Sequence, residues 1–153
     1  MGGLLVSTAA ILCWPVSVTQ LDLATTPPLQ CRFTQPTWRL VWRHSVEKTP
    51  WAETYQRQGQ RLRLLSTEFK SFGAGTPSSG TLLPAPPGYV AYAINLDMPE
   101  LNWVVSRRVR STVWLGDQAW PLFEWVPDYT EARFTPTHTP FWRTLTKDFC
   151  HAQ

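Results

Sequence analysis

Hydrophobic and polar residues alternate along much of this chain, in short runs with a two-residue period. Trp38, Leu40, Trp42 and His44 alternate with Arg39, Val41 and Arg43. Successive side chains of a strand point to opposite sides, so the pattern predicts a β-strand over residues 38–44 with the tryptophans on one face. A second run over residues 51–57 puts Trp51, Glu53 and Tyr55 on one side. After a Gln58-Gly59-Gln60 turn, Leu62 and Leu64 alternate with Arg61 and Arg63, a hairpin pattern. Further strands are predicted over residues 89–95, 101–106, 109–115 and 119–126, divided by Gly- and Pro-rich breaks. Pro121 has no N–H for a ladder, which places the last of these at an edge or on a bulge. Several short strands with such turns predict an all-β chain, a single antiparallel β-sandwich or small β-barrel domain.

The two ends depart from this pattern. The first 21 residues carry no charged side chain, and residues 4–18 are mostly apolar. That run is shorter than the about 20 residues that span a bilayer comfortably. It reads as the apolar part of a secretory signal or a short membrane anchor covering residues 1–24, with a buried N-terminal strand as the alternative. No Lys or Arg precedes it and no clean small-x-small site follows it. Thr25-Thr26-Pro27-Pro28 reads as a linker, and residues 29–127 as the β domain. In residues 128–153, Pro136 and Pro140 oppose a helix and favour an extended tail. Phe134, Phe141, Trp142 and Phe149 are apolar enough to pack that tail across the domain.

Composition sharpens the picture at a few points. Nine tryptophans and fourteen prolines favour sheet over helix. The net charge of +3 is a mild excess, and its densest cluster, Arg107, Arg108 and Arg110, reads as a solvated strand face. No nucleic-acid partner is expected. The cysteines are Cys13, Cys31 and Cys150, without CxxC or cysteine–histidine spacing for zinc. No metal or cofactor is therefore expected. In an oxidising compartment Cys31 and Cys150 can pair and tie the ends of the domain together.

Candidate chemistry gathers between the first two strands. His44 can titrate near neutral pH, bind a metal or bond an anion, but no second histidine lies near it. Its ordinary role is to close the strand, its ring beside Trp42 and one nitrogen bonded to the turn. Ser45 points away from His44 on a strand and suits turn bonding better than nucleophilic attack. Glu47 and Glu53 are a carboxylate pair only if the turn brings them to one cleft. Otherwise Glu47 pairs at the surface with Lys48 or an arginine. Glu53 shares a side with Trp51 and Tyr55 and must be paired or sit in a cleft, with Arg39 and Arg43 as candidate partners if the strands are neighbours. Farther on, Phe72-Gly73-Ala74-Gly75-Thr76-Pro77 reads as a surface loop with a tight turn, because no GK[ST] and no helix start follow it.

The stretch His44-Ser45-Val46-Glu47-Lys48-Thr49-Pro50-Trp51-Ala52-Glu53 resembles the signature of the domain-of-unknown-function 1850 family. Phe72-Gly73-Ala74-Gly75 is similar to that family's glycine loop, and Pro87-Gly88-Tyr89 with Tyr92 to its later glycine–aromatic strand. Ser106 matches a serine near a strand end. The resemblance covers residues 38–122. It implies a small bacterial protein with an apolar N-terminus, associated with tripartite ATP-independent periplasmic (TRAP) transporters of the TAXI type. It brings no reaction. Some similar members carry a cysteine pair at a late glycine turn, and Leu115-Gly116-Asp117-Gln118-Ala119-Trp120 has none. The resulting expectation is a cell-envelope binding or accessory module, periplasmic or anchored through residues 4–18, with TRAP transporter subunits as partners. Its motif residues would be His44, Ser45, Glu47, Lys48, Glu53, Gly73 and Gly75. The alternatives are a hydrolase using His44, Glu47 and Glu53, and a Trp-lined carbohydrate-binding module.

Overall fold

The computed structural model describes residues 12–70, 72, 73, 75–77, 79–144 and 150–152. Among them the strands run β1 Pro15–Leu23, β2 Leu29–Phe33, β3 Thr37–Arg43, β4 Pro50–Gln58, β5 Arg61–Phe69, β6 Thr81–Leu83, β7 Val90–Met98, β8 Leu101–Val104, β9 Thr112–Leu115, β10 Gln118–Pro121, β11 Glu131–Pro140 and β12 Cys150–Ala152. A short helix, α1 Leu122–Trp125, follows β10, and a 3-10 turn, Phe141–Thr144, follows β11. The strands form two antiparallel sheets, ordered β12-β2-β1-β11-β8 and β10-β9-β3-β4-β5-β7-β6. They pack as a sandwich and do not close into a barrel.

Inner-facing residues of both sheets make the main core, and Trp51, Phe69 and Tyr92 form a smaller cluster beside it. Trp38 of β3 is buried between Tyr55 of β4 and Phe134 of β11, each ring centroid 4.7 Å away and nearly parallel. Phe33 of β2 meets the edge of the same indole at 5.8 Å. Each such aromatic contact adds about 0.5–1.5 kcal/mol beyond the area it buries. Arg57 of β4 ties the sheets at the rim. Its Nε donates to Ser17 Oγ at 2.9 Å and its Nη1 to Thr19 Oγ1 at 3.0 Å, both on β1. Its Nη2 reaches the Thr34 carbonyl at 2.8 Å, and burial lowers its pKa.

The strands nearest the two ends of the described chain both belong to the five-stranded sheet. Residues 4–11 of the apolar run lie outside the described residues, but its remainder enters β1. Val18, Leu21 and Leu23 are buried there, so from Pro15 onward the alternative reading, a buried N-terminal strand, describes the segment. β1 pairs with β2 on one side and along its whole length with β11 on the other. The expected linker at residues 25–28 is thus a loop between two neighbouring strands. The tail is extended, as Pro136 and Pro140 require, and its ten-residue strand β11 is an integral part of the sheet. Phe149 lies outside the described residues. Cys31 is disulfide-bonded, and the β2–β12 ladder sets Cys150 directly opposite it.

The alternation shifts within β5. Leu62 and Leu64 face inward, then Thr67 and Phe69, because the pairing register slips between Leu64 and Ser66. The opposite strand accommodates this at Asn95, whose φ is 55°. Residues 119–126 are not one strand. β10 stops at Pro121, on the sheet edge that its missing N–H predicts, and the chain turns into α1.

Candidate functional site

β3 ends at Arg43 and β4 begins at Pro50, so residues 44–49 form a tight corner. The His44 N–H donates to the Thr49 carbonyl at 2.8 Å, and the Lys48 N–H to the His44 carbonyl at 3.0 Å. Closing the corner puts Lys48 in the left-handed region, at φ 56°. His44 Nδ1 accepts from the Glu47 N–H at 3.1 Å and, more weakly, from the Val46 N–H at 3.4 Å. An Nδ1 lone pair used in this way favours the tautomer with its proton on Nε2. The imidazole stacks on Trp51 at 5.4 Å and 15°, and Trp51 stacks on Trp42. His44 therefore bonds the turn as its ordinary role predicts, but its ring partner is Trp51, one strand over, in place of Trp42.

The other motif residues divide. Lys48 Nζ donates to the Ser45 carbonyl, so the lysine closes the corner and forms no pair with Glu47. Glu47 instead lies over the glycine loop. A β-carbon on Gly73 would sit 2.6 Å from Glu47 Oε1 and 2.8 Å from its Cγ, so this side chain occupies the space that glycine leaves. The two halves of the motif, far apart in sequence, touch here. Thr76 fixes the loop, its Oγ1 accepting from the Gly73 N–H at 3.1 Å, while Gly75 supplies a positive φ of 81°. Ala74 lies outside the described residues.

Glu53 belongs elsewhere. It is level with Leu40 on β3, four residues and about 13 Å of strand from His44. It faces inward beside Leu40 and Thr67, where the Tyr55 hydroxyl donates to its Oε2. Burial raises its pKa, and the Tyr55 bond offsets part of that rise. The same burial, with the carboxylate alongside, drives the Tyr55 phenol upward. Arg39 and Arg43 are not its partners. β3 and β4 are indeed neighbours, but Leu40 is the residue opposite Glu53, so Arg39 and Arg43 occupy the other face. Glu47 and Glu53 thus have separate surroundings, and the paired-carboxylate arrangement of a glycosidase does not arise. Among the described residues no three His, Cys, Asp or Glu side chains converge as metal ligands.

The outer face of the seven-stranded sheet holds a cleft of about 570 Å³ that the sequence reading missed. Arg39, Val41, Ala52, Glu68 and Trp114 come from adjacent strands, and Pro86, Tyr89, Gly116 and Asp117 from the flanking loops. Arg39 Nη2 lies 3.3 Å from Glu68 Oε1. A pair this exposed is worth at most about 1 kcal/mol, so it gives way readily to a ligand's polar groups. Pro50 and Trp51, which continue the corner into β4, also line the cleft. The signal available in sequence was the outward set of alternating positions. Val41, Ala52 and Trp114 are apolar where a fully solvated face would be charged.

Residues 39–122 match the model of a family described as Domain of unknown function (DUF1850). No curated protein and no solved structure matches the chain.

Proposed function

The chain belongs to the DUF1850 family, and on that premise we propose that it is a binding module of the cell envelope that works with a TRAP-type solute transport system. The observation that carries this reading is the outer cleft. Every described residue lining it lies within the matched span, and its aromatic walls stand around an ion pair that exchanges at little cost. Concave, mainly apolar sites with a few convergent polar groups are where small ligands and short partner segments bind. The His44 corner is then the support that fixes one rim, through Pro50 and Trp51. Attachment to the membrane would use the apolar residues ahead of β1, because from Pro15 the chain is committed to the sheet. No helix among the described residues is long and apolar enough to cross a membrane.

The test is co-purification. The full chain, tagged at its C-terminus, is recovered from gently solubilised native membranes beside an Arg39→Ala, Trp114→Ala variant. Transporter subunits enriched with the wild type and lost with the folded variant support the reading. A chain recovered wholly from the cytosol, with no transporter subunit, refutes it. Trp114 and Tyr89 also favour a second reading, a carbohydrate-binding module, through stacking on a sugar face. Titration with oligosaccharides, followed by tryptophan fluorescence in wild type and Trp114→Ala, decides that case.

A further inference from the structure

The arginines expected as a solvated strand face are drawn together by a turn. Between β8 and β9 the N–H groups of Val109 and Arg110 donate to the Ser106 carbonyl at 3.2 and 2.9 Å. The Arg108 N–H donates to Ser106 Oγ at 3.1 Å. The Arg43 N–H donates to the Val109 carbonyl at 2.6 Å and staples this turn to the end of β3. Arg43, Arg107, Arg108 and Arg110 thereby surround one cleft of about 560 Å³, completed by Phe123 and Glu124 of α1.

The charges in this cleft are not balanced. Arg107 Nη1 lies 3.6 Å from Asp128 Oδ2, and Arg43 Nε donates to the Lys48 carbonyl at 3.0 Å. Arg110 lies over the Phe123 ring, 5.4 Å from its centroid. Among the described residues no carboxylate is within ion-pair distance of Arg43, Arg108 or Arg110. Among the described residues Glu124 lines the cleft and Asp128 pairs with Arg107, two counter-charges against four guanidiniums. Like charges converging on a concave wall raise its potential and concentrate anions there.

We propose that this cleft binds a phosphate ester. The proposal goes beyond the function above and uses none of the residues of the outer cleft. Guanidinium forks match phosphate oxygens two at a time, and a phosphate monoester carries about −1.5 to −2 charges, enough to meet the surplus that a single carboxylate would leave unmet. The volume exceeds that of a bare phosphate, and the Phe123 wall suits the organic part of the molecule. Soluble phosphate esters and phospholipid headgroups carry the same chemistry, and the test separates them.

The full chain, in mild detergent at low ionic strength, is titrated by calorimetry with glycerol 3-phosphate. In parallel it is floated with phosphatidylcholine vesicles with and without phosphatidic acid. Arg108→Ala and Glu124→Gln run beside the wild type, with melting curves to confirm folding. Heat with glycerol 3-phosphate identifies a soluble ligand, and flotation that needs phosphatidic acid identifies a lipid. In either case Arg108→Ala weakens binding about tenfold or more, or Glu124→Gln tightens it. No binding in either arm at millimolar ester, or binding that both variants leave unchanged, overturns the proposal. If Arg108→Ala does not fold, the response of Glu124→Gln decides alone.

Discussion

Replacing Glu53 by glutamine separates two consequences of putting a carboxylate on an inner strand face. Unfolded, this glutamate loses its proton near its ordinary value of 4.5; folded, burial makes it hold the proton to higher pH. The unfolded state therefore binds fewer protons than the folded one across that window. Glu53's contribution to stability is full below the unfolded pKa and is lost as pH rises through the folded pKa. A single group limits the slope to about 1.4 kcal/mol per pH unit. Glutamine abolishes this slope and keeps an acceptor for the Tyr55 hydroxyl. It also adds an amide N–H2 in need of partners, at a cost of about 1–3 kcal/mol if none is found. Gain and cost oppose one another, so stability at one pH decides nothing and the pH profile decides everything. Urea unfolding of both proteins from about pH 4 to about pH 8 is the assay. Asp97, held below its ordinary value by Arg63, contributes stability lost only as pH falls through the acid range, outside this window. The difference in stability between Glu53→Gln and wild type should grow in the variant's favour as pH rises. Parallel profiles would refute the argument.

Other substitutions test other joints. Arg57→Lys keeps the charge but not the fork that reaches Ser17, Thr19 and Thr34, and should cost about 2–3 kcal/mol, read as a lower urea midpoint with unchanged slope. Gly73→Ala pushes Glu47 off the loop. Because Glu47 is exposed, the stability loss should stay under about 1 kcal/mol, and adding Glu47→Ala should reverse it; additive effects in this double-mutant cycle would deny the contact. Cys31→Ser should cost about 2–4 kcal/mol, with a matching drop in the wild type on adding reductant; a reductant-insensitive wild type would contradict a stabilising disulfide.

The strand faces were legible because the alternation is strict where one side is buried, as at Trp38 and Leu40 against Arg39. Pro121 announced an edge because a missing N–H has one structural meaning. Periodicity said less where rules compete. A short apolar run ahead of Asp22 fits an export signal and a core strand equally, and only the nine-residue ladder with β11 shows that its part from Pro15 onward is strand. The slip in β5 was hidden, since Leu64, Leu65 and Ser66 can continue either phase. Residues 119–126 read as a strand from their aromatic content, and the short helix arises where Pro121 ends the ladder. Of the motif, the His44 turn could be anticipated locally, whereas the contact of Glu47 with Gly73 depends on how β4 and β5 return the chain. Both clefts join positions distant in sequence, Arg39 with Trp114 and Arg43 with Arg108, so no local pattern reveals them.

The ladder between β1 and β11 has a consequence for biosynthesis. It sets Pro15 opposite Pro140, nearly the first described residue against nearly the last. The five-stranded sheet therefore cannot complete its β1–β11 pair until residue 140 has been made. Contacts this distant in sequence form slowly, because a large loop must close before they stabilise anything. Until then Trp38, though it can already stack on Tyr55, lacks Phe134 on its other face. That delay leaves apolar inner-face surface uncovered on the emerging chain, the kind of surface that chaperones bind, until residue 140 appears.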